Sequence, residues 1–123
     1  MASATHVVHT KADADETFTL ASTTSTGAIY KVASRALSVP KTLEFKFELG
    51  NPGSLGNDKL SVIFRDSAAN STTGLVKTLQ VKMEVSVPRD AAITTAMVED
   101  NICHLANLLA DAVAENIADA IVP

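Results

Sequence analysis

The hydrophobic period of this chain changes once, near residue 88. Before it, apolar residues recur at every second position; after it, at every third or fourth. In residues 42–49, Leu43, Phe45, Phe47 and Leu49 alternate with Thr42, Glu44, Lys46 and Glu48. In residues 59–66, Leu60, Val62 and Phe64 alternate with Lys59, Ser61, Ile63 and Arg65. In residues 75–87, Leu79, Val81, Met83, Val85 and Val87 alternate with Thr78, Gln80, Lys82, Glu84 and Ser86. Successive side chains of a strand point to opposite faces, so the pattern predicts three long strands with one apolar and one polar face. Beyond Pro88, Val98, Ile102, Leu105, Leu109, Ala112 or Val113, Ile117 and Ile121 mark the stripe of an amphipathic helical region. Thr94 is placed to cap it, Ile93 and Val98 to form a hydrophobic staple, and Glu99 and Asp100 lie near the positive end of the helix dipole. The stripe fits one long helix or two with a bend near residues 110–112.

Upstream, Thr5–Thr10 and Glu16–Leu20 predict a hairpin around the turn Ala12–Asp15. Ser22–Gly27 reads as a connection and Ile29–Val32 as a short strand. Pro40 marks the start of the next strand, because proline is poorly tolerated inside a ladder. Gly50–Asn57 and the polar, flexible Ser67–Gly74 read as loops. The fold class is α+β: an N-terminal β-hairpin plus a five-stranded antiparallel sheet, followed by a C-terminal helical region. The 123 residues, 46% of them hydrophobic, suit a single domain, with residues 1–90 as sheet and 91–123 as helical region.

Geometry then asks for a partner. Six strands at ~4.8 Å make a sheet roughly 25–30 Å wide, whereas a helix is about 10 Å across. One helix cannot cover that apolar face, and monomers seldom leave such a patch open. Either the sheet curls on itself or a second copy supplies a helix. A homodimer is the favoured solution, with Val98, Ile102, Leu105 and Leu109 at the helix–sheet dimer interface.

The net charge of −4 argues against a generally basic nucleic-acid binder. Its distribution says more. Residues 1–89 hold all ten Lys/Arg and eight Asp/Glu, a net of +2; residues 90–123 hold six acids and no Lys/Arg. One surface therefore tolerates polyanions while the acidic segment suits solvent. No apolar run approaches the ~20 residues that span a bilayer, so no membrane partner is expected. The N-terminus lacks the basic and apolar regions of a signal peptide. Cys103 is the only cysteine, which leaves no intrachain disulfide and fits a reducing cytoplasm.

The search for catalysis is negative. Nucleotide-binding, zinc-protease and nucleophile-elbow motifs are absent. Gly50, Gly53 and Gly56, flanked by Asn and Pro, read as a hairpin loop rather than a phosphate cradle. His6 and His9 point to opposite faces of a strand and do not chelate a metal together. His104 reads as a surface or dimer-contact residue, and Cys103 as a small buried hydrophobe. No catalytic residue, metal, cofactor or small-molecule substrate is expected. The polar strand faces carry the remaining signal. Lys46, Lys59, Arg65 and Lys82, with Ser61, Thr78 and Gln80 among them, form a platform able to neutralise phosphates and hydrogen-bond RNA. The same residues also fit a solvated face salt-bridged to Glu44, Glu48 and Glu84.

Several strings, in this order of elements, resemble the coat proteins of single-stranded RNA bacteriophages (levivirus-like). The nearest local similarity is Val81-Lys82-Met83-Glu84-Val85-Ser86-Val87-Pro88 running into the helical stripe. Lys59-Leu60-Ser61-Val62 resembles the preceding strand, and Ser67–Gly74 sits where that family has a flexible loop. The resemblance covers nearly the whole chain by order of elements and is specific over residues 41–110. It implies an intertwined dimer, two sheets joined edge to edge into ten strands, with each subunit's helices packed on the partner's sheet. It implies assembly into an icosahedral shell, usually T=3, around single-stranded genomic RNA in a virion formed in the bacterial host cytoplasm. It further implies that the sheet face can bind an RNA hairpin and repress translation. Carried across, the RNA-binding residues are Lys46, Lys59, Ser61, Arg65, Thr78, Gln80, Lys82 and Glu84. Gln80 stands where some relatives place a stacking tyrosine, and Ile63 replaces a polar or basic position.

The leading expectation is a non-enzymatic capsid protein. The alternatives are a small dimeric α+β ligand-binding protein or isomerase, which would need an ionisable residue on the inward faces, and an adaptor whose sheet face binds protein.

Overall fold

The computed structural model describes residues 4–9, 14–50, 56–109 and 116–120. Strands β1 (Thr5–His9), β2 (Asp15–Thr24), β3 (Gly27–Lys31), β4 (Lys41–Glu48), β5 (Asn57–Ala69) and β6 (Val76–Pro88) precede helix α1 (Thr95–Leu108). All six strands form one antiparallel sheet in chain order. The α+β expectation holds, and the N-terminal hairpin is continuous with the rest of the sheet, since β2 pairs with β3. Residues 116–120 are helical. A bend near residues 110–112 and the stripe positions Ala112, Val113 and Ile121 fall outside the described residues, as does Gly53.

Two segments expected as loops are partly strand. Ser22–Thr24 belongs to β2, and only Ser25 and Thr26 make the turn. A Ser/Thr run reads as connection by composition, but threonine is β-branched and suits a paired strand. Gly27 is required just after that turn: a Cβ there would lie 2.1 Å from the Phe45 carbonyl oxygen. The segment Ser67–Gly74 is a loop only from Asn70 onward. Strand β5 runs on to Ala69, and the remaining turn is built by Asn70. Its Oδ1 accepts from the Thr72 and Thr73 amides at 2.8 and 3.0 Å, and its carbonyl accepts from the Gly74 amide at 2.8 Å. Gly74, at φ +72°, supplies the left-handed residue that closes the hairpin.

The core lies on one half of one face. Phe18, Ala28, Tyr30 and Leu43 are buried, with Val8, Leu20, Val32, Phe45, Val62 and Phe64 packed against them. The His6 ring stands edge-on to Tyr30, centroids 4.7 Å apart, and 5.3 Å from that of Phe45. These contacts require curvature. The β2–β3 register shifts between Leu20 and Ser22, an irregularity of the kind that increases local twist and bends a strand. The N-terminal hairpin thereby curls over the apolar face.

The other half of that face stays open. Leu79 and Val81 of β6 are 62% and 60% exposed, and Leu60 of β5 is also exposed. Helix α1 does not cover them, for it buries none of its own residues. Its cap is nevertheless the one the sequence predicts, although Glu99 and Asp100 fall beyond the first turn, which holds no acidic residue, and so lie outside the short reach of the helix dipole. The Thr94 hydroxyl accepts from the Met97 amide at 3.3 Å, and both staple residues, Ile93 and Val98, are partly buried. An apolar groove of about 360 Å³ separates the helix from β6, between Met83 and Val85 on one side and Met97, Val98 and Ile102 on the other.

Candidate nucleic-acid interface

The polar faces of β4, β5 and β6 lie side by side because the three strands pair without a bulge. Each cross-strand row can be read from the register. Glu48 stands beside Lys59 and Ser86, Lys46 beside Ser61 and Glu84, Glu44 beside Ile63 and Lys82, and Thr42 beside Arg65 and Gln80. The fold therefore brings Lys46, Lys59, Ser61, Arg65, Gln80, Lys82 and Glu84 to one polar depression of about 400 Å³, together with Glu44, Glu48 and Ile63. Thr78 stands beyond one end of it, its hydroxyl 3.1 Å from that of Ser67.

The depression has a floor and a rim. Ser61 and Ile63 are 8% and 5% exposed and form the floor. Ile63 points to the polar side, as its position in the alternation predicts, and is buried because the long side chains of Glu44 and Lys82 flank it in the adjacent strands. The rim is ion-paired throughout. Arg65 Nη1 lies 2.7 Å from Glu44 Oε1, and Arg65 Nε donates to Gln80 Oε1 at 3.2 Å. Lys46 Nζ lies 3.3 Å from Glu48 Oε1. Glu84 serves two cations, Lys59 at 3.8 Å and Lys82 at 3.5 Å. Four cations thus face three carboxylates, so the surface is far less basic than its lysines alone suggest. Exposed pairs of this kind contribute only about 0–1 kcal/mol each; they orient the rim and do little to hold the fold.

Sequence reasoning missed a second charged group, on the apolar face. Lys41 Nζ lies 2.6 Å from Glu16 Oε1 and 3.6 Å from Asp66 Oδ2. Arg35 Nη2 lies 2.9 Å from Asp66 Oδ1 and donates to the Ser67 carbonyl at 2.7 Å. These residues correct the expectation of nearly all-apolar inward faces. Continuing the alternation of Leu60, Val62 and Phe64 by one step would have placed Asp66 there. Glu16, Lys41 and Asp66 border an apolar groove of about 380 Å³ lined by Val8, Phe18, Phe64, Leu79 and Val81. Both acids are already engaged by cations, an arrangement that suits structure better than proton transfer.

Asp58 marks the far end of the sheet. Its Oδ1 accepts from the Gly50 amide at 2.8 Å and from Arg89 Nε at 3.0 Å. Hydrogen bonding from Arg89, and then from the Gly50 amide, holds its carboxyl below the ordinary carboxylate range. The remaining singled-out residues stand apart from the depression. His104 is exposed on α1. Cys103, expected to be a small buried hydrophobe, is exposed as well, on a helix that buries none of its residues. Among the described residues, no group of three His, Cys, Asp or Glu is placed to hold a metal ion. No described helix is long and apolar enough to cross a membrane.

No protein-family model matches the chain, and no curated protein matches it in sequence. Solved structures do. The virus-like particle of bacteriophage AVE019 superposes with a TM-score of 0.80 over 100% of this chain and 99% of that one, at 10% identity. That of bacteriophage ESE020 gives 0.75 over 99% of each chain at 16% identity. That of bacteriophage GQ-907 gives 0.70 over 89% of this chain and 85% of the other, at 21% identity. At such identities the likeness is one of fold. The six-stranded sheet with its trailing helix is the fold of these bacteriophage virus-like particles, as the sequence resemblance implied.

Proposed function

We propose that this chain is a capsid subunit that dimerises, assembles into an icosahedral shell and packages single-stranded RNA against the polar face of β4–β6. One observation carries the reading: α1 buries none of its residues while half of the apolar sheet face stands open beside it. Among the described residues, strand β6 also has a 13-residue edge without a neighbour in the sheet. A second copy answers both problems. If the two β6 edges pair antiparallel, the sheets join into twelve strands rather than ten. The partner's helix then leaves its sheet at the opposite end of this one, over Leu79 and Val81. Val98, Ile102, Leu105 and Leu109 would make that contact.

The charge split fits a shell. The segment from residue 90 onward, with six acids and no Lys/Arg, would face outward, and the polar depression inward toward RNA. There Lys46, Lys59, Arg65 and Lys82 would meet phosphates, while Ser61, Thr78, Gln80 and Glu84 would meet bases and sugars. Gln80 offers hydrogen bonds in place of aromatic stacking, so an RNA hairpin bound in translational repression would be read by polar contacts. Assembly in the bacterial host cytoplasm into a T=3 virion completes the proposal; none of its steps calls for an enzyme or cofactor.

The test is size-exclusion chromatography with light scattering and a 260/280 nm ratio on protein expressed in bacteria. With one Tyr and no Trp, the chain absorbs weakly and RNA would dominate the spectrum. A megadalton peak rich in nucleic acid is expected. A nucleic-acid-free dimer at every salt concentration would count against the proposal. It would favour a ligand-binding protein using the apolar groove beside Glu16, Lys41 and Asp66. In particles, Lys59→Ala with Lys82→Ala should lower RNA content and weaken its salt dependence while dimers persist.

A further inference from the structure

We propose that Glu44, Glu48 and Glu84 are built-in counter-ions that prevent the sheet face from holding RNA by charge alone. The inference rests on the RNA-binding reading above and assigns that face its mode of selection. A free lysine that meets a phosphate releases mobile counter-ions, and that release makes binding strong at low salt and indifferent to sequence. Here the place of a mobile ion beside each cation of the depression is already taken by a carboxylate fixed to the sheet. It cannot leave when RNA arrives. A phosphate brought to Lys59 or Lys82 is also brought to Glu84, which lies between them within 4 Å of both. The rim thus offsets much of its own attraction, and the partly apolar floor of Ser61 and Ile63, with Gln80 beside it, decides which RNA stays.

Glu84 is the decisive residue, because one carboxylate on β6 neutralises two lysines, Lys59 on the neighbouring β5 and Lys82 on its own strand. The experiment measures binding of a labelled oligouridylate of about 20 nucleotides to the full-length protein, purified free of nucleic acid, from about 50 to about 400 mM salt. Glu84→Gln should bind roughly three- to tenfold more tightly at the low end. Its salt slope should steepen by about 1.4, from two lysine contacts at ~0.7 each for single strands. Glu99→Gln, the same charge change on the exposed face of α1, controls for net charge and should leave the slope as in the wild type. If Glu84→Gln matches Glu99→Gln while Lys59→Ala with Lys82→Ala still weakens binding, the counter-ion role is overturned and the RNA face stands. If neither wild type nor Glu84→Gln binds at low salt, or if the double lysine variant binds as the wild type does, the RNA face falls and the counter-ion role with it.

Discussion

Phe18 and Phe64 meet edge to face, ring centroids 5.7 Å apart, although two strands lie between β2 and β5 in the sheet. In a flat sheet those strands would be about 14 Å apart. The contact therefore measures the curl that buries one half of the apolar face and leaves the other half bare. Phe18→Ala should remove the ring on which the curled hairpin closes. Since Phe18 is 2% exposed, the loss should be about 3–5 kcal/mol, read by urea unfolding at fixed protein concentration.

Gly27→Ala tests the close approach of β3 to β4. The added methyl would run into the Phe45 carbonyl, a backbone atom that cannot rotate away. A destabilisation of about 1–3 kcal/mol is expected. Gly74→Ala, where a Cβ meets nothing and only the positive φ is strained, should cost about 1 kcal/mol. Thermal unfolding of the two variants side by side checks the order.

Asp58 predicts an acid-sensitive contribution to stability. Its folded pKa is lowered by Arg89 and the Gly50 amide. The stabilisation is therefore fully present above the unfolded value of ~3.9 and is lost as pH falls through the lower folded value. Asp58→Asn should unfold at lower temperature near neutrality, with the gap to wild type closing as pH drops below ~4. A constant gap from pH ~6 to ~2 would show that the carboxylate charge is not what ties Gly50 to Arg89.

Leu105→Asp places a charge on the helix stripe proposed to lie on a partner's sheet, at a cost of several kcal/mol if that contact forms. Leu79→Asp does the same from the sheet side. Both should abolish particles and dimers in light scattering while the far-ultraviolet signature of the sheet persists. Native-sized assemblies of either variant would show that the face is misassigned.

Much of the polar depression was legible in the sequence, because a period of two needs no tertiary information to sort side chains between faces. Lys59, Ser61 and Arg65 had to lie on one side, and Thr78, Gln80, Lys82 and Glu84 on one side of the next strand, once both segments were strands. Their common surface then followed from the bulge-free pairing of β4, β5 and β6. Which cation meets which carboxylate was not legible. Lys59 reaches Glu84 across a diagonal, and Lys82 reaches it along its own strand, choices made by rotamer and twist rather than by spacing. In Ser67–Gly74, polar composition marked the turn but not its start: β5 runs on to Ala69, and hydrogen bonds centred on Asn70 build what remains.

By itself, the sequence determined the alternation of faces, the switch from strand to helix after Pro88, the Thr94 cap and the deficit of apolar cover that one helix cannot make good. These follow from local geometry, which repeats every two or 3.6 residues whatever lies far away. Only the tertiary structure decided where the cover falls short. The irregularity between Leu20 and Ser22 turns the N-terminal hairpin onto Tyr30 and Leu43, so the bare half is that of β5 and β6 and not that of β2 and β3. Curvature sums small twists over many strands and is settled by contacts between residues distant in the chain, such as Phe18 and Phe64, which no periodicity encodes.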